Sequence, residues 1–478
     1  MKKGRILIEN IVVYGFGGII GRIIPLIMVP IITRLLPNTS YYGIADLTDT
    51  IVQLGCAFAV FGMFDALYRM FFENEDISSQ KECCNTALAF NILLSFFVFS
   101  LLIVFRETIS RFVYKDGSLS YLVIIAAVST LIASTNNIIS APTRMQNKRK
   151  EYLIIHFLSP VVSYCIAIPL ILYGNYYIAL PLAAMLSAIL VEFSFFLRNR
   201  KWFRIQVPNF KLLKQMLALA LPMFPNLIIY WLFNSADKLM ISNMLGTSEV
   251  GIYGAGAKIA HISQLFYTAF ATGWQYVAFS TMKDEKQVES NSTIFSVVSI
   301  ISYVIFIIAC SLDYFAFDIV FTGDYKLGYI VMPLLFMSPL LQMMYQICCS
   351  QLLISKSAWP NIIIMASGAG INILLNFFLI PVMGIEGAAL ATFIGYLFTV
   401  IAIILVLTRR NQMILQIDFY ISSMLTVAFY IVWRLYLRSS LIGILLGALT
   451  LSIILIVNKN KIKPFIESIL SKRNEKID

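Results

Sequence analysis

Long apolar runs separated by short polar turns make up nearly the whole chain. A membrane-spanning helix needs roughly 20 predominantly apolar residues. Fourteen such runs follow one another, near 10–32, 44–68, 84–105, 118–141, 152–173, 178–197, 215–238, 250–276, 291–312, 328–353, 360–380, 387–408, 416–436 and 439–457. The first run is too long for a signal-peptide core and lacks a small-residue cleavage site, so it reads as a permanent span. The pattern predicts an all-α polytopic membrane protein of about 14 transmembrane helices.

Composition agrees. Of 478 residues, 59% are hydrophobic and 13% charged, about half the charged fraction of a soluble domain. Lys and Arg then orient the spans, because cytoplasmic loops collect them. Arg144, Lys148, Arg149 and Lys150 fall in one turn, and Arg198, Arg200, Lys201, Arg204, Lys211 and Lys214 in another, both on the side of the N-terminus. The opposite turns hold only Arg34, Arg106, Arg111, Lys115, Lys326 and Arg438. An even number of spans with both ends in the cytoplasm follows. The net charge of +11 is then mostly topology, and no nucleic-acid partner is needed to explain it. The seven cysteines include Cys83–Cys84 and Cys348–Cys349, lack zinc-ligand spacing, and read as ordinary reduced thiols.

Ionisable groups at membrane depth are costly and mark protein interiors or wet cavities. Arg22 lies near the middle of the first span, which also carries Pro25 and Pro30. It reads as a cation facing a lumen, the alternative being one that snorkels or pairs locally. Asp46, Asp49 and Gln53 follow at i, i+3, i+7, one face of the second span. The alternative for the two aspartates is exposure at the outer interface. Residues 219–275 form two apolar spans joined by the turn Leu245–Val250, with Asp237, Lys238, Lys258 and His261 inside them or at their ends. In the eighth span Lys258, His261, Thr268, Thr272 and Gln275 approach one polar stripe. The basic, aromatic connection 198–214 reads as an amphipathic surface linker, with Phe203, Ile205, Val207, Phe210 and Leu213 offered to lipid.

The turn after the first span reads TSYYGI (39–44) and that after the seventh TSEVGI (247–252), an offset of 208. Gly174, Ala179 and Leu180 echo Gly384, Ala389 and Leu390 at an offset of 210. Two nearly equal offsets six spans apart predict a parallel repeat. The organisation expected is a six-helix lobe (1–197), the linker (198–214), a second six-helix lobe (215–408), two extra spans (409–457) and a basic cytoplasmic tail (458–478).

RLLPNTSYYGIADL after the first span, and NSADKLMISNMLGTSEVGIYGAGAKI from Asn234 to Ile259, resemble the polysaccharide flippase family of the multidrug/oligosaccharidyl-lipid/polysaccharide exporter superfamily. Trp274–Gln275 fits a family pattern too, and the resemblance spans the whole chain. Lys238 stands where the family usually has Arg, which keeps the charge and loses the fork geometry. The resemblance implies two six-helix lobes around a central cavity plus two C-terminal helices. It also implies movement of undecaprenyl-diphosphate-linked oligosaccharide from the inner to the outer leaflet of the bacterial cytoplasmic membrane, for a surface polysaccharide such as O-antigen or capsule. Arg22, Lys238 and Lys258 would attract the diphosphate. Asp46, Asp49, Gln53, Asp237, His261, Thr268, Thr272 and Gln275 would bind sugars or couple transport to a proton or sodium gradient. A polysaccharide polymerase and glycosyltransferases are the expected partners, beside membrane lipids.

No GxxxxGK[ST] loop is present, so ATP hydrolysis in this chain is not expected, and no other cofactor is. A membrane enzyme would need a large outer loop of catalytic residues, and every outer turn is short. The rival functions are a cation-coupled drug or metabolite exporter of the same superfamily and a lipid II flippase.

Overall fold

The computed structural model describes residues 23–73, 76–204, 208–357, 359–438, 440–459 and 461. The described residues are almost entirely helical. In chain order the helices are α1 (Ile23–Leu35), α2 (Thr39–Val60), α3 (Met63–Glu73), α4 (Ile77–Val104), α5 (Arg106–Val113), α6 (Ser120–Ile139), α7 (Ala141–Met145), α8 (Arg149–Leu172), α9 (Tyr176–Asn199), α10 (Phe210–Ala220), α11 (Phe224–Met244) and α12 (Thr247–Ala260). They continue with α13 (Ser263–Ser280), α14 (Gln287–Val320), α15 (Met332–Ile354), α16 (Trp359–Met383), α17 (Ile385–Arg409), α18 (Ile417–Val432) and α19 (Leu441–Val457).

Among the described residues, ten helical stretches are long and apolar enough to cross a membrane. The remaining four runs are met by broken or short helices. α10 and α11 together make one span bent by 46°. The break falls at Leu221–Met223, where Pro222 cannot donate to the helix ladder. α12 and α13 succeed each other across His261 and Ile262, α19 is apolar but shorter, and α1 is the described part of the first run, whose residues 10–22 lie outside the described residues. Among the described residues each run thus meets a helix or helix pair, and the chain is a multi-pass membrane protein.

The chain divides into two compact units. The first comprises residues 1–255, 322–325 and 372–388. Within it α2 packs on α4, α6, α9 and α11, and α8 packs along α9. At one end of these helices lies a core of Met63, Leu67, Phe71, Cys84, Ile138 and Met216. The second unit comprises residues 256–321, 326–371 and 389–478. There α15 packs on α13 and α14, while α14 also meets α18 and α19.

The connection at 198–214 departs from the expected lipid-facing linker. Residues 205–207, which include Ile205 and Val207, lie outside the described residues. Phe203 and Leu213 pack against the core of the first unit, together with Trp202, Leu212 and Leu217, while Phe210 is exposed. The cause is helical periodicity. α10 starts at Asn209, whose side chain caps Lys211 and Leu212, and it turns Leu213 and Leu217 onto one face. That apolar face is buried by α3 instead of by lipid.

Candidate functional site

The two copies of the TSxxGI motif meet in the first unit. Asn38 caps α2 by accepting from the Ser40 amide at 2.9 Å, and the helix then presents Gly43. A Cβ on Gly43 would overlap the Thr247 carbonyl oxygen, and one on Gly251 would overlap the Thr39 carbonyl oxygen. The contact is reciprocal: each motif's glycine seats the threonine of the other. Only glycine permits backbones to approach this closely. One turn further, Gly254 of α12 passes the Asp46 carboxylate so closely that a Cβ there would lie 2.7 Å from Oδ2.

This crossing closes a charged cluster. Lys238 Nζ lies 3.0 Å from Asp46 Oδ2, with 10% of the lysine side chain and 4% of the aspartate side chain accessible. The neighbouring Asp237 turns the other way and accepts a hydrogen bond from the Tyr253 hydroxyl on α12. The Lys238 amide donates to Asp237 Oδ1 at 2.8 Å. Further along the α2–α11 seam, Ser235 Oγ donates to Gln53 Oε1 at 3.3 Å, and Gln53 Nε2 donates to Asp49 Oδ2 at 2.6 Å. Trp231 Nε1 donates to the Thr50 carbonyl at 3.2 Å. Lys115 reaches Asn243, and Ser242 Oγ donates to the Val113 carbonyl at 2.6 Å.

Of the residues singled out in the sequence, Asp46, Asp49, Gln53, Asp237 and Lys238 therefore come together. Asp46 is buried, whereas Asp49 and Gln53 are exposed, so the i, i+3, i+7 face is graded from interior to surface. Lys238 is not a bare cavity cation in this conformation: it is engaged by Asp46. Arg22 lies outside the described residues, as do the side chains of Thr272 and Gln275. Lys258 is half-buried and His261 exposed, and Thr268 Oγ1 donates to the Gln264 carbonyl of its own helix at 2.9 Å. The stripe expected on one continuous helix is interrupted, because α12 ends at Ala260 and α13 starts at Ser263.

Sequence reasoning passed over several groups. Tyr253 and Gly254 lie inside the stretch that carries the family resemblance but were given no role; the small-residue run GIYGAGA is the signal of close backbone approach that could have found them. In the second unit Asp313 is buried against Arg438, 3.5 Å away, and that guanidinium also donates to the Tyr329 and Ile330 carbonyls. Gln351 gathers Gln287 and Asn291, each at 2.6 Å, and Trp274 Nε1 donates to Ser350 at 3.0 Å. These partners are 60 to 125 residues apart in the chain.

Comparison with known proteins adds the following. Residues 31–327 match the family profile described as polysaccharide biosynthesis protein. No curated protein matches the sequence. Among solved structures, the chain is similar to the lipid II flippase MurJ in an inward closed conformation, with TM-score 0.71 and 16% identity, over 95% of this chain and 100% of that one. It is similar to an inward-facing multidrug resistance MATE family transporter of the MOP superfamily, with TM-score 0.58 and 13% identity, over 82% and 94% of the two chains. A mutant form of the Vibrio cholerae MATE transporter VcmN gives TM-score 0.58 and 10% identity over 86% and 99%. At such identities the likeness is one of fold.

Proposed function

Starting from the fact that this chain belongs to the polysaccharide biosynthesis protein family, we propose that it is a flippase for polyprenyl-diphosphate-linked oligosaccharide. It would carry repeat units for a surface polysaccharide such as O-antigen or capsule from the inner to the outer leaflet of the bacterial cytoplasmic membrane, with both termini cytoplasmic. The observation that carries the reading is the family match across residues 31–327, which holds the whole buried cluster. The fold shared with flippases and exporters supports it.

The cluster suggests how the head would be held. A diphosphate at membrane depth needs a cation, and Lys238 is one whose partner, Asp46, sits at hydrogen-bond distance. Binding becomes an exchange: the diphosphate displaces Asp46 from the ammonium. A proton or sodium gradient would drive the cycle through Asp46, Asp49, Asp237 or His261, with alternating access to the two sides of the membrane. Arg22 and Lys258 are the further candidate cations, and Gln53, Thr268, Thr272 and Gln275 the candidate sugar contacts. The polymerase and glycosyltransferases of the pathway are the partners this reading calls for.

The experiment is reconstitution. In proteoliposomes, a fluorescent polyprenyl-diphosphate oligosaccharide should become accessible to a membrane-impermeant quencher only where the protein is present. The rate should fall when both the proton and sodium gradients are collapsed. Transport of an organic cation in place of the lipid-linked sugar would favour the drug-exporter alternative. Preference for lipid II would favour the lipid II flippase.

A further inference from the structure

Beside the ion pair, the first unit has an apolar groove with a volume of about 610 Å³, inside the about 300–1,000 Å³ range of ligand pockets. Four helices wall it: α2, α4, α5 and α11. Phe58, Phe61, Phe97, Phe105, Phe112 and Trp231 supply most of the ring surface. Along α4 the lining runs from Leu94 to Phe105, about 16 Å at 1.5 Å per residue. We propose that this groove seats the polyisoprenoid chain of the lipid-linked cargo, a tail site held within one unit and separate from the residues that would hold the head. The proposal rests on the reading in the preceding section.

Three observations support that occupant. The wall is almost entirely hydrocarbon: Thr50 and Thr108 are its polar side chains, and Thr50's polar atoms are already used. Thr50 Oγ1 donates to the Asp46 carbonyl at 3.0 Å, and the Thr50 carbonyl accepts from Trp231. A sugar or headgroup would find almost nothing to bond there, and a chain of methyl branches and planar alkenes would pack on the rings. The groove also adjoins the charged cluster along α2 and α11. Thr50 lies one helical turn from Asp46, and Leu239, another lining residue, follows Lys238. Finally, α5, which lines the groove with Thr108, Ile109, Phe112 and Val113, also carries the exposed Arg106 and Arg111 and one carboxylate, Glu107. Phosphate between cations with one long tail beneath describes a polyprenyl diphosphate.

The test uses the full chain in nanodiscs of phosphatidylethanolamine and phosphatidylglycerol. A polyprenyl monophosphate with a diazirine near its tail is added, irradiated, and its adducts mapped by mass spectrometry. Labelling should concentrate on residues 54–61, 94–112 and 231–239. Unlabelled polyprenyl phosphate should compete about tenfold better than added phosphatidylglycerol. Leu101→Trp, which fills the groove, should remove most of the labelling. Ile154→Trp, on the exposed face of α8, should leave it intact. If Leu101→Trp does not fold, the competition on the native protein decides. Labelling spread evenly over exposed helices, or equal competition by phosphatidylglycerol, would overturn the proposal and identify the occupant as bulk lipid. The outcome is separable from transport. A protein that flips cargo without labelling here keeps its function and loses this site, and one that labels here without flipping does the reverse.

Discussion

The Lys238 ammonium and the Asp46 carboxylate hold each other 3.0 Å apart where little solvent reaches either. Removing one partner of such a pair strands the other, at a cost of about 3–5 kcal/mol, whereas replacing both by apolar groups is often neutral. Lys238→Met should therefore lower the apparent Tm of the detergent-purified protein strongly. Asp46→Leu combined with Lys238→Met should recover most of the loss. A single variant as stable as the parent would show that the pair does not bind α2 to α11. The chemistry of this pair was legible in the sequence, since charges inside apolar runs stand out. Its pairing was not, because Asp46 and Lys238 lie in different spans and nothing local couples them. The same holds for Arg438, which the sequence places in an outer turn and the fold packs against the buried Asp313.

Among the helices, the repeated motif meant more than duplication. TSYYGI and TSEVGI were visible as an echo, and the fold uses both copies in one reciprocal crossing of α2 and α12. Gly43→Ala and Gly251→Ala should each lower the apparent Tm, because their Cβ atoms would meet backbone that cannot swing aside. Gly370→Ala is the control: it is helical, has open space around its Cβ position, and should be neutral or gain up to about 1 kcal/mol from helix propensity. Equal effects at all three would mean that the crossing is not tight. The linker makes a second case. Its apolar residues were visible, but not what would cover them, since lipid and protein select the same side chains. Leu217→Asp should destabilise the chain or drive it into aggregates on size-exclusion chromatography, because Leu217 packs on the first unit's core. Phe210→Ser, at a position 72% exposed, should leave the profile unchanged.

For the molecule as a whole, the apolar runs coincide with helices or helix pairs among the described residues, because length and hydropathy alone dictate a span. The breaks were harder to read. Pro222 accounts for the bend before α11, but the break at His261–Ile262 has no proline or glycine at it. Membership of the polysaccharide biosynthesis protein family and a buried cation in exchange distance of its carboxylate converge on one account, in which Lys238 passes between Asp46 and a cargo diphosphate. The measurement that tests this most directly is the rate of lipid-linked oligosaccharide translocation in proteoliposomes with Lys238→Gln combined with Asp46→Asn, a neutral pair that spares the crossing from a stranded charge. The account predicts a folded protein whose translocation falls to the level of empty vesicles. Translocation at the parental rate would contradict it.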